Sequence, residues 1–99
     1  MQQAQELQEK LKAIQKKLEE MEISGEAGAG LVRVKMNGLG AVQKVEIAPV
    51  LLKSEEREVL EDLVAAAFND AQRKAREAKE HQIGELTASL PFGDFNLPF

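Results

Sequence analysis

A narrow apolar seam along the first helical stretch constrains the fold more than any other feature of the sequence. Its members are spaced four, three, four and three residues apart: Leu7, Leu11, Ile14, Leu18 and Met21. This spacing predicts one face of a helix over residues 2–22, which at ~1.5 Å per residue is about 30 Å long. Because so narrow a seam typically packs against another helix, we expect a second helix beside it.

A short β hairpin is predicted next. Residues 31–36 alternate apolar and basic side chains, the period of a half-buried strand, and Asn37-Gly38 is a strong hairpin turn signal. Residues 42–47 form the returning strand, which Pro49 ends. The strand positions that we expect in the core or in a dimer contact are Val32, Val34, Val45 and Ile47.

The glycine-rich segment Ser24–Gly30 precedes the first of these strands. Its glycines run G-x-x-G-x-G, the reverse of the dinucleotide fingerprint, and no Gly-Lys-Ser/Thr follows. We therefore interpret the segment as a flexible or bulged entry to the sheet, not as a phosphate cradle.

A second, longer helix is predicted from Ser54, a credible N-cap, to about Ile83 or beyond. Its first half carries bulky residues, and its second half narrows to a stripe of alanines that suits close contact with another helix. The bulky residues expected in the core or dimer contact are Leu60, Leu63, Val64 and Phe68. Residues 90–99 form a tail rich in Pro and Phe that we expect to be flexible, leaving residues 1–89 as a single domain.

The pattern thus predicts an α+β fold: a long N-terminal helix, a small antiparallel β hairpin or sheet, and a long C-terminal helix. One short hairpin cannot cover the apolar faces of two helices of this length, so we expect a homodimer in which a second copy supplies the missing core.

Composition excludes several classes of function. The chain has no cysteine and one histidine, which excludes disulfides, thiolate metal sites and histidine-based metal sites, so we expect no metal and no cofactor. We find no membrane span and no signal-peptide pattern, which favours the cytosol. No paired-carboxylate or nucleophile pattern supports catalysis, and His81 is interpreted as a solvent-facing residue of the second helix, so we expect neither an enzyme nor a small-molecule substrate.

Basic side chains are placed unevenly, although the net charge is −4. The second helix carries its acids early and its bases late. Taken alone, this pattern favours an ordinary solvated face with pairs such as Arg73–Glu77 and Arg76–Glu80. The hairpin adds Arg33, Lys35 and Lys44. The candidate contacts to nucleic acid are Lys10 and Lys17 on the first helix and Arg73, Lys74, Arg76 and Lys79 on the second.

Three segments closely resemble the YbaB/EbfC family of bacterial nucleoid-associated proteins: GEAGAGLVRVKMNG at 25–38, VEIAPVLL at 45–52 and EDLVAAAFNDA at 61–71. The resemblance covers nearly the whole chain in the right order. It implies an intertwined, tweezer-like homodimer that binds double-stranded DNA in the nucleoid, and it reverses the preference for a merely solvated basic face. One departure is Ala48, where the family usually has Asp before the proline.

We therefore expect a nucleoid-associated protein that contacts DNA phosphates as a homodimer, with little or modest sequence preference. The alternatives are a prefoldin-like holding chaperone or a coiled-coil adaptor that does not bind DNA. The polar or basic free ends of the two helices favour DNA over unfolded chains. The tail, which ends Leu97-Pro98-Phe99, is a possible contact for a protein partner.

Overall fold

The computed structural model describes residues 2–89 of the chain and the side chains of residues 4–88. Two helices flank a small sheet. Their order is α1 (Gln2–Glu20), β1 (Ile23–Ala27), β2 (Val32–Met36), β3 (Val42–Ile47) and α2 (Arg57–Ser89). Two short 3₁₀ helices, Pro49–Leu51 and Ser54–Glu56, connect β3 to α2. The expected α+β fold with two long helices is confirmed.

The sheet is antiparallel with the order β1-β2-β3, and α2 packs against β1 and β2. The alternating pattern of β2 places Val32, Val34 and Met36 against the helix, where all three are buried. They form one core cluster with Leu51 and with small residues of α2, namely Ala67, Ala71 and Ala75. Ile47, Leu60, Leu63, Val64 and Phe68 are partly buried against this cluster.

The first part of the glycine-rich segment lies in β1, a third strand that the sequence did not predict. Residues 28–30 form the turn into β2, with positive φ at Gly28, Ala29 and Gly30, so the expected bend before the strand is found there. Gly25 lies in β1, opposite Val34, and a Cβ at Gly25 would overlap the backbone of Ala67 and Ala71. Glycine is therefore needed because β1 and α2 approach closely, not because the chain must bend. Ala67 and Ala71 of the alanine stripe pack against the sheet at Gly25, a contact that the expected packing against another helix did not include.

Helix α1 packs against α2 and is fixed to the sheet by the turn between β2 and β3. The N–H of Gly38 donates to the carbonyl oxygen of Leu18 at 2.7 Å, and a Cβ at Gly38 would lie 2.9 Å from that oxygen. Leu18 is 1% exposed, whereas Leu7, Leu11 and Ile14 are half-buried. The C-terminal end of α1 is thus the part of the seam that joins the core.

The start of the second helix differs from the sequence prediction. Ser54 is not an N-cap: it is the first residue of a 3₁₀ turn whose N-cap position is Lys53, with no side-chain capping hydrogen bond, and the α-helix itself begins at Arg57. The segment before Pro49 likewise has Ala48 in extended conformation with no side-chain cap, since alanine has no side-chain acceptor.

Candidate nucleic-acid interface

The basic cluster of α2 divides between two sides of the helix. On the side that faces β1, Asp70 accepts hydrogen bonds from three donors: the backbone N–H of Glu26 at 3.0 Å, the Arg73 guanidinium at 2.8 Å and the Lys74 ammonium at 3.1 Å. Lys74 also donates to the carbonyl oxygen of Ser24 at 3.2 Å. We call this set of residues the Asp70 cluster; it ties α2 to the edge strand β1.

Electrostatics within this cluster neutralise its cations. The Glu26 N–H, followed by Arg73 and Lys74, lowers the pKa of Asp70 to about 2 from an ordinary value of 3.8. Hydrogen bonds to Asp70 and Glu77 raise the pKa of Arg73, which also pairs with Glu77 at 3.1 Å. The charges of Arg73 and Lys74 are therefore already compensated by neighbouring carboxylates, so each has less positive potential to offer a ligand.

A groove lies on another side of α2, facing the turn between β2 and β3. It has a volume of about 250 Å³ and is lined by Gly38–Gly40 of the turn and by Gln72, Ala75, Arg76 and Lys79 of the helix. Each of these helix residues lies three or four positions from two of the others, which places them along one side of α2. None of the lining residues is acidic.

Arg76 differs from Arg73 in its surroundings although the two lie one turn apart. Arg76 is exposed, and among the side chains of residues 4–88 it forms no ion pair. The Arg76–Glu80 pair that a solvated face would favour does not form, whereas Arg73–Glu77 does. The structure thus separates the four cations that the sequence presents as one cluster.

The candidate cations of α1, Lys10 and Lys17, are both exposed. Lys17 immediately precedes Leu18, whose carbonyl oxygen binds Gly38, so it lies at the end of α1 that contacts the groove's turn. Lys10 lies seven residues earlier, about 10 Å along the helix axis. The two lysines therefore extend along α1 away from the groove.

The outer face of the sheet carries the other basic group, and these side chains are paired. Arg33 lies 3.4 Å from Glu26, while Lys35 and Lys44 lie 3.2 and 4.0 Å from Glu46. The hydrogen bond from Lys35 is the main cause that lowers the pKa of Glu46. On this solvated face three cations thus share two carboxylates across neighbouring strands.

Other sites receive no support from the described part of the chain. No three His, Cys, Asp or Glu side chains there are arranged to hold a metal ion, and no helix there is long and apolar enough to cross a membrane. His81 is exposed, as expected for a solvent-facing residue, and its Nε2 lies 3.0 Å from a carboxylate oxygen of Glu85. The possible partner-binding tail, 90–99, lies outside the described residues.

The fold and charge distribution define a small α+β protein with a cation-lined groove between its sheet and its long helix. Residues 1–90 match the model of the YbaB/EbfC DNA-binding family, and the chain belongs to that family. Its fold is similar to that of the uncharacterized protein HP0035 from Helicobacter pylori, with a TM-score of 0.76 and 22% sequence identity. The match covers 84% of this chain and 87% of the Helicobacter pylori chain.

Proposed function

We propose that the protein binds double-stranded DNA as a homodimer, mainly through phosphate contacts and with little or modest sequence preference. The observation that carries this proposal is membership of a DNA-binding family over residues 1–90. In the cell it would be a nucleoid-associated protein that affects chromosome organisation or gene expression, without catalysing a reaction.

Exposed apolar side chains on β3 support the homodimer. Val45 lies opposite Val34 in the sheet and therefore shares its face, yet Val34 is buried and Val45 is 45% exposed. The difference arises because α2 packs on β1 and β2 and makes little contact with β3, of which Ile47 is partly buried against the core. Other large apolar side chains are also exposed: Val42 at the start of β3, and Val50, Leu52 and Val59 after it.

We take the exposed apolar side chains on β3 and the segment that follows it as an interaction surface. A second copy is the simplest occupant, because a two-fold arrangement places identical apolar faces together and completes both cores at once. We therefore expect the homodimer to form through the α2-facing side of β3 and the segment that follows it.

Net charge favours phosphate contact at local sites over a general basic coat. Each chain carries a net charge of −4, and a homodimer carries twice that. DNA must therefore approach where cations are exposed without acidic partners, and its affinity is expected to fall steeply with salt as counterions are released.

The experiment is a titration of labelled duplex DNA at several salt concentrations, combined with light scattering to measure the mass of the free protein. We expect a mass of twice the 10.9 kDa chain and a linear fall of log affinity with log salt. A well-formed dimer that does not retard duplex DNA even at about 0.05 M salt would contradict DNA binding.

The second test separates phosphate contact from base readout. Duplexes of equal length and different sequence are compared at one salt concentration, and we expect affinities within about tenfold of one another, well below the ~10³-fold or greater preference of sequence-specific proteins. A preference of that larger size would show that side chains contact base edges.

A further inference from the structure

The groove between the β2–β3 turn and α2 has two chemically different walls. Arg76 and Lys79 form a cationic wall together with the amide of Gln72, while the facing wall is backbone and the side chain of Leu39. Leu39 is 50% exposed although its neighbours Asn37 and Gly38 are buried. An apolar side chain thus lies at the edge of a basic groove.

The turn that presents Leu39 is held in place before any ligand arrives. The Asn37 side-chain oxygen accepts the N–H groups of Leu39 at 2.9 Å and Ala41 at 3.0 Å. The Gly40 N–H donates to the Asn37 carbonyl oxygen at 3.1 Å, and Gly38 is bonded to α1 as described. These bonds use the turn's amide groups internally, so the contribution of this wall to a ligand is shape and apolar surface.

Gly40, which follows Leu39, leaves open space at the facing wall. Gly40 has φ +90°, and a Cβ there would have no atom within 4 Å, so the space beside it is open. A linear chain of ligand atoms can therefore lie between the turn and α2. At about 250 Å³ the groove admits a short piece of such a chain and not the width of a duplex.

A second groove of about the same volume provides a comparison. It is lined by residues that include Arg33 and Glu46, and Arg33 is further paired with Glu26 at 3.4 Å. Carboxylates there compete with any incoming anion. The groove beside α2 has no acidic lining residue, and its Arg76 forms no ion pair among the described side chains, so it is the better anion site of the two.

A sugar–phosphate strand matches both walls of this groove. Its phosphate oxygens accept hydrogen bonds from guanidinium, ammonium and amide donors, and its deoxyribose rings present carbon atoms to an apolar side chain. We propose that the groove binds one strand of the DNA backbone, with Arg76 and Lys79 on phosphates and Leu39 against the adjacent sugar. This proposal rests on the proposed DNA binding and names the site that performs it.

The test compares two charge-matched double variants in the full chain. Arg76→Gln with Lys79→Gln removes two cations from the groove, and Lys12→Gln with Lys16→Gln removes two exposed cations from α1. Each lost phosphate contact lowers the slope of log affinity against log salt by about 0.9. With two grooves in a homodimer, we expect the groove variant to lose about 2 to 4 units of slope, and the α1 variant less than about 1.

A third variant tests the apolar wall. Leu39→Ser removes apolar surface and no charge, so we expect affinity to fall about three- to tenfold with an unchanged salt slope, because no counterion release is lost. Light scattering and thermal unfolding are measured on each variant, so that binding is compared between folded proteins of known mass.

The outcomes separate this proposal from the proposed function. Equal loss of slope in both double variants would overturn the groove as the site and leave DNA binding intact. Dissociation of the homodimer by Leu39→Ser would assign Leu39 to the contact between copies and overturn the apolar wall. Absence of DNA binding by the unsubstituted protein at low salt would overturn DNA binding itself.

Discussion

Two sides of the same stretch of α2 carry basic side chains in different surroundings. On the β1-facing side, the Asp70 cluster binds Arg73 and Lys74 to carboxylates and to the β1 backbone. On the groove side, Arg76 lines an opening that has no acidic residue. A basic run in a helix is therefore not one functional unit, because its partners depend on which neighbouring element each side faces.

The largest expected effect on stability comes from disrupting the close contact between β1 and α2 at Gly25. Gly25→Ala places a methyl group against the backbone of Ala67 and Ala71, neither of which can move without shifting α2. We expect a loss of about 3 kcal/mol in the free energy of unfolding, at the upper end of overpacking effects. Urea unfolding followed by circular dichroism measures it, and a loss below about 0.5 kcal/mol would contradict the close approach of β1 and α2.

A pH dependence distinguishes the Asp70 cluster from the groove. The pKa of Asp70 falls from 3.8 to about 2 on folding, so the ionised carboxylate stabilises the folded state above about pH 4. This stabilisation is lost as the pH falls from about 4 to 2, where the folded protein finally takes up the proton. Asp70→Asn should be less stable at pH 7 and lack this part of the acid sensitivity.

The measurement is the thermal midpoint of both proteins between pH 7 and pH 2. We expect the two midpoints to converge as the pH falls, since the protonated carboxyl of Asp70 and the amide introduced by Asp70→Asn are both uncharged and accept weaker hydrogen bonds than a carboxylate does. A constant difference over this whole range would show that Asp70 does not act through its charge.

A third comparison uses arginines one turn apart on the two sides. Arg76→Gln is expected to lower DNA affinity about tenfold at about 0.15 M salt, because each homodimer loses two phosphate contacts. Arg73→Gln is expected to change affinity less than about twofold, because its charge is already balanced and the remaining field is screened. Binding curves for the two variants check this, and equal losses would contradict the division of the basic cluster.

The order of helix, sheet and helix was predictable from the sequence because it depends on local periodicity. The 3.6-residue pattern around Leu60 and Leu63 and the alternation of Val32 with Arg33 need no knowledge of distant contacts. The family could also be stated from three matched segments. The periodic part of the fold was therefore available from the residues alone.

The third strand and the division of the cations were not predictable in this way. Gly25 is typical of a bend unless the sequence also shows that a helix backbone lies against it. The sequence gives no reason to treat Arg73 and Arg76 differently. Their surroundings differ because Asp70 accepts a hydrogen bond from Arg73 and also from the N–H of Glu26, 44 residues away. Asp70 lies three residues before Arg73, so it signals a helical pair but not a link to β1.

The smallest expected effect comes from a glycine-to-alanine substitution at an uncrowded position of α2. Gly84 lies within α2, and a Cβ there would have no neighbour within 4 Å. Alanine restricts the unfolded chain and favours the helix, so Gly84→Ala should raise the free energy of unfolding by about 0.5–1 kcal/mol. Urea unfolding is measured for both variants. If crowding by α2 decides the outcome at residue 25, the free energy of unfolding falls in Gly25→Ala and rises in Gly84→Ala. A loss of stability in Gly84→Ala would instead indicate that this part of α2 lies against another surface, such as a second copy of the chain.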